Sequence, residues 1–256
     1  VALAPCSPYS VSAAMMRETA ALARRHGVRL HTHLAESREE VAFCRSRHGH
    51  SPVLHAEALD WLGEDVWFAH LIHPGSSDLP RLAASGCGVA HCPCSNMRLG
   101  NGIAPISDYL KHGIAVGLGV DGGASNDAAD LLAESRQAML LQRVNAGADA
   151  MTAHQALALA TVGGAQVLGR DDIGRLEVGM AADIAGFRLD ALELSGAAVH
   201  DPVGALVFCP PPRADLVVIN GRPTIRGGEV LGSDLGALAA AHNQAATALV
   251  ARAGLG

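Results

Sequence analysis

Short apolar runs alternate with helical patterns through the first two-thirds of the chain, and this alternation constrains the fold more than any single motif. Val1 to Ala4 is apolar and stops at Pro5. Ser12 to His26 has helical periodicity, with Ser12 as N-cap and Gly27 as terminator. Strand-like Val28 to Leu34 follows, then helical Ser37 to Arg47 and Pro52 to Leu62. The pattern continues with apolar Val66 to Ala69, a helix over 77–85, apolar Gly88 to Ala90, a helix over 105–112, apolar Ile114 to Val120 and a long helix over 128–146. Strands this apolar, each followed by a helix, predict an α/β fold with a parallel sheet under packed helices.

The positions of the polar residues narrow the reading further. His33, His70, His91 and Asp121 stand at the C-terminal ends of four consecutive predicted strands. In parallel barrels the chemistry gathers at that end, where the loops after the strands converge. Imidazole nitrogen and carboxylate oxygen suit Zn²⁺ or Fe²⁺, and a catalytic site of this type keeps one position open for water. Glu36, three residues beyond His33, lies just past its strand end, where it can face the same cavity as a general acid.

Composition excludes several other classes. A net charge of −6 and a single lysine, Lys111, leave no basic cluster for nucleic acid. Six irregularly spaced cysteines do not form a disulfide framework and point to a reducing, cytoplasmic setting. No apolar stretch approaches the roughly 20 residues that span a bilayer, and VALAPCSP lacks the features of a signal peptide.

Four stretches carry a resemblance: HTHLAES, FAHLIHP, HCPCSNMRLGNGIAPI and GLGVDGGASND. Together they resemble the amidohydrolase superfamily, in particular the branch that deaminates purines, pterins and triazines. LAPCSPYSVS and CPCSNMRL are most similar to 8-oxoguanine deaminases. The resemblance implies a distorted (β/α)8 TIM-type barrel with one divalent metal, zinc first and iron as the alternative. It makes His33 the strand-five ligand and Asp121 the strand-eight ligand and proton acceptor. Glu36 becomes the proton donor to a ring nitrogen, and His70, ending strand six, the hydrogen-bond partner of the attacking hydroxide or the oxyanion. Glu36, His70 and, more remotely, His73 would contact the substrate. The implied reaction is hydrolytic deamination of a fused heteroaromatic base, with 8-oxoguanine giving urate and ammonia. Guanine, isoxanthopterin and hydroxylated triazines are alternatives. A non-catalytic scaffold module is the reading from another class, opposed by the presence of His33, Glu36, His70 and Asp121 together. A small-molecule partner and a homo-oligomeric full-length enzyme are expected, with no nucleic-acid or membrane partner.

Other residues are less informative. His31 reads as a hydrogen-bonded histidine one layer deeper than His33; the alternative makes His31 and His33 the family's first-strand HxH pair. His48 and His50 read as solvated surface. His91 lines or buttresses the pocket. Cys92 and Cys94 are too closely spaced for a structural zinc site and read as buried thiols. Asn96 orders its own loop, Gly122 and Gly123 turn the backbone beside the metal, and Ser125 and Asn126 serve as N-cap or substrate contact. Binuclear superfamily members use a strand-four lysine, which Val1 to Pro5 lacks.

After a further helix over 152–168, short runs with turn signals at Asn220-Gly221 and Gly227-Gly228 suggest strands, with 214–219 and 222–225 as a hairpin. The expected organisation is thus barrel over 1–168, a β-sandwich segment over 169–234 and an Ala-rich amphipathic helix in 235–256. Only the end of barrel strand four through strand eight can be placed, together with the C-terminal part of the sandwich. The chain is therefore expected to be the C-terminal portion of a longer one, inactive alone and weak in metal binding.

Overall fold

The computed structural model describes residues 1–210 and 212–254; Pro211 and residues 255–256, at the end of the expected 235–256 segment, lie outside the described residues. Five strands form one parallel sheet in sequence order: β1 (Ala2–Leu3), β2 (Arg29–Leu34), β3 (Val66–His70), β4 (Gly88–His91) and β5 (Ala115–Leu118). Between them run α1 (Ala13–Arg25), α2 (Arg38–His48), α3 (Pro52–Ala58), α4 (Asp78–Ser85), α5 (Pro93–Arg98) and α6 (Ile106–Lys111). The helices start where short polar side chains replace the missing backbone partners: Ser12, Ser37 and Ser51 accept from the amides of Met15, Glu40 and Leu54. The third helix is shorter than its apolar pattern suggests. Leu59 and Trp61 stay buried beyond its end, and the Trp61 indole donates to the Met16 carbonyl.

The two faces of the sheet differ in character. Leu30, Leu34, Val66, Phe68, Val89 and Val116 are buried in the core with Met16, Val53, Leu82 and Ile106 from the helices. The alternate residues of β2 (Arg29, His31 and His33) are only half-buried. On that second face Ala69, Ala90, Gly117 and Gly119 are small, and a cavity of about 280 Å³ opens between His31, Trp67 and Asp121.

After β5 come α7 (Leu131–Ala146), capped by Asp130, then α8 (Ala153–Ala158) and α9 (Gly164–Leu168). The continuous helix expected over 152–168 is interrupted by a π-helical turn, Leu159–Gly163. The reason lies in packing: a Cβ on Gly163 would stand 2.2 Å from the Val116 carbonyl oxygen, and one on Gly117 2.8 Å from the Gly164 Cα. Helix and strand backbones touch directly here, which only glycine permits. Gly163→Ala is expected to destabilise the fold by roughly 1–3 kcal/mol, read as a lower denaturant midpoint at unchanged slope.

The structure divides into two compact units, 1–180 with 189–211 and 181–188 with 212–256. This redraws the expected boundary at residue 168. The segment 189–211, expected among the sandwich strands, folds instead as a 3-10 turn, α10 (Ala197–His200) and α11 (Pro202–Phe208), and α11 packs on α7 and α8 of the first unit. Asp201 caps α11 and Pro202 begins it. The second unit is an antiparallel sheet of β6 (Ile184–Gly186), β7 (Leu216–Ile219), β8 (Arg222–Arg226) and β9 (Glu229–Val230), with β7 and β8 joined by the Asn220-Gly221 turn. It ends in α12 (Leu235–Arg252), none of whose residues is buried, so the amphipathic packing expected of it is not used within the unit. Among the described residues no helix is long and apolar enough to cross a membrane.

Candidate metal centre and active site

His33, His70 and Asp121 converge at the C-terminal ends of β2, β3 and β5. One ligand atom from each lies within 4.8 Å of the others, the one such group among the described residues. His33 Nε2 is 3.7 Å from Asp121 Oδ1, and His70 Nε2 is 3.8 Å from both Asp121 Oδ2 and Glu36 Oε2. Backbone conformation helps to aim these groups. His70 and Asp121 have φ of 66° and 63°, in the left-handed region that non-glycine residues seldom occupy. Strain of this kind persists where the surroundings over-determine it, and it clusters at functional sites.

Each side chain is oriented by a partner on its far side. His33 Nδ1 donates to the Cys6 carbonyl at 2.7 Å, which leaves the Nε2 lone pair directed at Asp121. His70 Nδ1 donates to Asn96 Oδ1 at 2.7 Å, and its Nε2 is buried with no hydrogen-bond partner among the described residues. Imidazoles fixed through one nitrogen, with the other presented, are the usual arrangement of metal-binding histidines. Asp121 Oδ2 accepts from the hydroxyls of Ser95 (2.6 Å) and Ser125 (2.8 Å), so Oδ1 remains for the centre. Burial of Asp121 pushes its carboxyl up. Hydrogen bonds from Ser95, Ser125 and the Gly122 backbone, with His70 nearby, outweigh burial and hold it below the usual range. The His33 lone-pair nitrogen and the ionised Asp121 carboxylate, with the orphaned and buried Nε2 of His70 beside them, fit a single divalent cation of the Zn²⁺ type.

Glu36 borders this group without belonging to it. Its backbone amide and that of Ala35 donate to the two oxygens of buried Glu40, at 2.8 and 2.9 Å. Burial raises the Glu40 pKa, opposed by these amides of Glu36 and Ala35. The Glu36 side chain accepts from Asn101 Nδ2 at 2.9 Å through Oε1.

The remaining histidines and cysteines take other places. His73, expected near substrate, uses its Nε2 to hold the Asn101 carbonyl at 2.7 Å. His31 stacks on Trp67, with ring centroids 5.0 Å apart, and its Nδ1 meets the Trp67 carbonyl at 3.3 Å; burial lowers its pKa. His91 is fully buried on the helix-covered face, where burial pulls its pKa down to about 3. His48 and His50, expected to be solvated, are half-buried in a stack with His55, with His48 and His55 centroids 3.7 Å apart. Burial pushes the Cys92 thiol well up and that of Cys94 to about 12, so neither is a thiolate near neutrality. Asn126 serves structure, its amide donating to the Val120 carbonyl and to Glu134. Lys111 pairs with Asp108 on the exposed side of α6.

A parallel α/β sheet of the barrel type, with side chains that could hold one metal ion at its strand ends, is the class that this fold and site define. The Amidohydrolase family model matches residues 1–230, and the chain belongs to that family. It is 49% identical over 251 residues to the 8-oxoguanine deaminase of Pseudomonas aeruginosa, covering 98% of this chain and 56% of that protein. It is 43% identical over 218 residues to an isoxanthopterin deaminase from an unknown prokaryotic organism, covering 79% and 45%. Among solved structures, an atrazine chlorohydrolase from Arthrobacter aurescens TC1 complexed with zinc superposes with a TM-score of 0.89 at 36% identity, covering 94% of this chain and 54% of that one. The chain thus spans about half the length of the relatives it matches.

Proposed function

We propose that the full-length protein is a metal-dependent aminohydrolase that deaminates a fused, oxo-substituted purine, with 8-oxoguanine as substrate and urate and ammonia as products. The observation that carries this reading is the placement of Glu36 beside, but outside, the His33–His70–Asp121 group: a proton donor next to a cation site. When bound, a divalent cation lowers the pKa of its water towards ~7. His33 and Asp121 are the residues of this chain that would hold it.

The chain's own residues then divide the proton traffic. Asp121, held ionised by two serine hydroxyls, takes the proton from the attacking water. His70, with Nδ1 committed to Asn96, accepts a hydrogen bond from that water through Nε2. Glu36 delivers its proton to the ring nitrogen next to the amino-bearing carbon, which draws electron density away from that carbon as the C–O bond forms. The proton held by Asp121 goes to the departing amine, the C–N bond breaks and ammonia leaves, while the remaining hydroxyl proton on the new carbonyl oxygen passes to Glu36 and restores its acid form. The cavity of about 280 Å³ lined by Ala69, Ala90, Gly119 and Asp121 leaves room beside the centre for a flat ring. The likeness to an 8-oxoguanine deaminase favours a purine over a triazine.

A substrate panel tests this. Ammonia release from guanine, 8-oxoguanine, isoxanthopterin, S-adenosylhomocysteine and a hydroxylated triazine should give the highest kcat/KM for 8-oxoguanine. Preference for an adenosine-type substrate would overturn the assignment.

A further inference from the structure

We infer that Asn101 is a positioning residue that selects which oxygen of Glu36 carries the reactive proton; the inference rests on the reading of Glu36 as the general acid. The Asn101 amide donates to Oε1 at 2.9 Å. An oxygen that accepts this bond is poorly placed to carry a proton of its own, so the carboxyl proton resides on Oε2. Oε2 is the oxygen that faces the centre, 3.8 Å from His70 Nε2. Without Asn101 the carboxyl can rotate, and either oxygen can take the proton.

The loop is built to hold that amide in place. Asn101 stands between Gly100 and Gly102, whose φ values of 68° and 120° turn the chain sharply on both sides. A Cβ on Gly102 would stand 3.3 Å from Ile72 and 3.4 Å from the His73 ring, so the loop lies against the β3 exit. The Asn101 carbonyl accepts from His73 Nε2 at 2.7 Å, and its amide N–H donates to the Asn96 carbonyl at 2.9 Å. The amides of Ile72 and His73 both donate to the Ala35 carbonyl at 3.0 Å, tying this exit loop to the residue before Glu36. Asn96 in turn holds His70. α5 and the short loop after it thereby fix both groups that flank the centre, with His73 holding the loop through the Asn101 carbonyl.

The test uses metal-loaded full-length protein and three variants: Asn101→Ala, the isosteric Asn101→Asp, and Glu36→Gln. Steady-state kinetics, metal content and thermal midpoint are measured for each. Asn101→Ala should lower kcat by about 10- to 100-fold, the scale of a displaced catalytic group, with KM within about two-fold and metal content unchanged. Asn101→Asp keeps the shape but offers no donor to Oε1, and should lose at least as much. Wild-type kcat in Asn101→Asp, with Glu36→Gln inactive, overturns the positioning role alone. Loss of activity that merely tracks loss of metal or of thermal midpoint also overturns it, in favour of a structural role. Wild-type kcat in Glu36→Gln removes the general acid, and the inference falls with it.

Discussion

Glu36→Gln is expected to leave the metal content of the full-length protein unchanged and to lower kcat by roughly 10²- to 10⁴-fold, the range supplied by a positioned general acid. The side chain is not among the converging ligand atoms, so the cation site stays complete without its charge. Glutamine keeps the length and shape of the residue and still offers a carbonyl oxygen to the Asn101 amide. Its backbone amide keeps the Glu40 carboxylate. Only the transferable proton is lost. Metal analysis beside steady-state kinetics on the same preparation checks this, and a glutamine variant within about three-fold of wild-type kcat would show that proton delivery comes from elsewhere.

The second large effect is expected at the ligands. His33→Ala should weaken metal binding by at least about 100-fold, since loss of an outer partner alone commonly costs ~10- to 100-fold. The ring is half-exposed on the open face of the sheet and its Nδ1 makes one bond, to the Cys6 carbonyl, so folding should be little affected. Competition with a chelator of known affinity, run beside circular dichroism, separates the two effects. Full metal occupancy in a folded His33→Ala protein would remove His33 from the ligand set.

What the sequence makes legible is the parallel sheet and the residues at its strand ends. Apolar runs of three to seven residues separated by helical patterns read as buried strands, and a polar residue ending such a run stands out. His33, His70 and Asp121 are visible for that reason, and Glu36 because it follows within one turn of chain. The groups that orient them are not visible in this way. Cys6 acts through its backbone carbonyl, 27 residues from His33, and that oxygen has no sequence signature. Asn96 and Ser95 read as ordinary helix or loop residues until the fold brings them to His70 and Asp121, 26 residues away in each case. Asn101 and Glu36 are separated by 65 residues.

The C-terminal part of the first unit departs from the sequence reading for a different reason. PVGALVF lies inside the 169–234 stretch assigned to the sandwich, yet Asp201 as N-cap and Pro202 at the first position make it a helix. The π-turn at Leu159–Gly163 is invisible in a helical pattern because its cause is contact with Val116 on a distant strand.

The most direct test of the account is ammonia release from 8-oxoguanine by the full-length protein, measured after complete metal removal by a chelator and again after adding back Zn²⁺. The account predicts no turnover without metal, and recovery of ammonia and urate in equal amounts as zinc approaches one equivalent per chain. Turnover that survives complete metal removal, or zinc-restored protein that releases no ammonia from 8-oxoguanine, would contradict it.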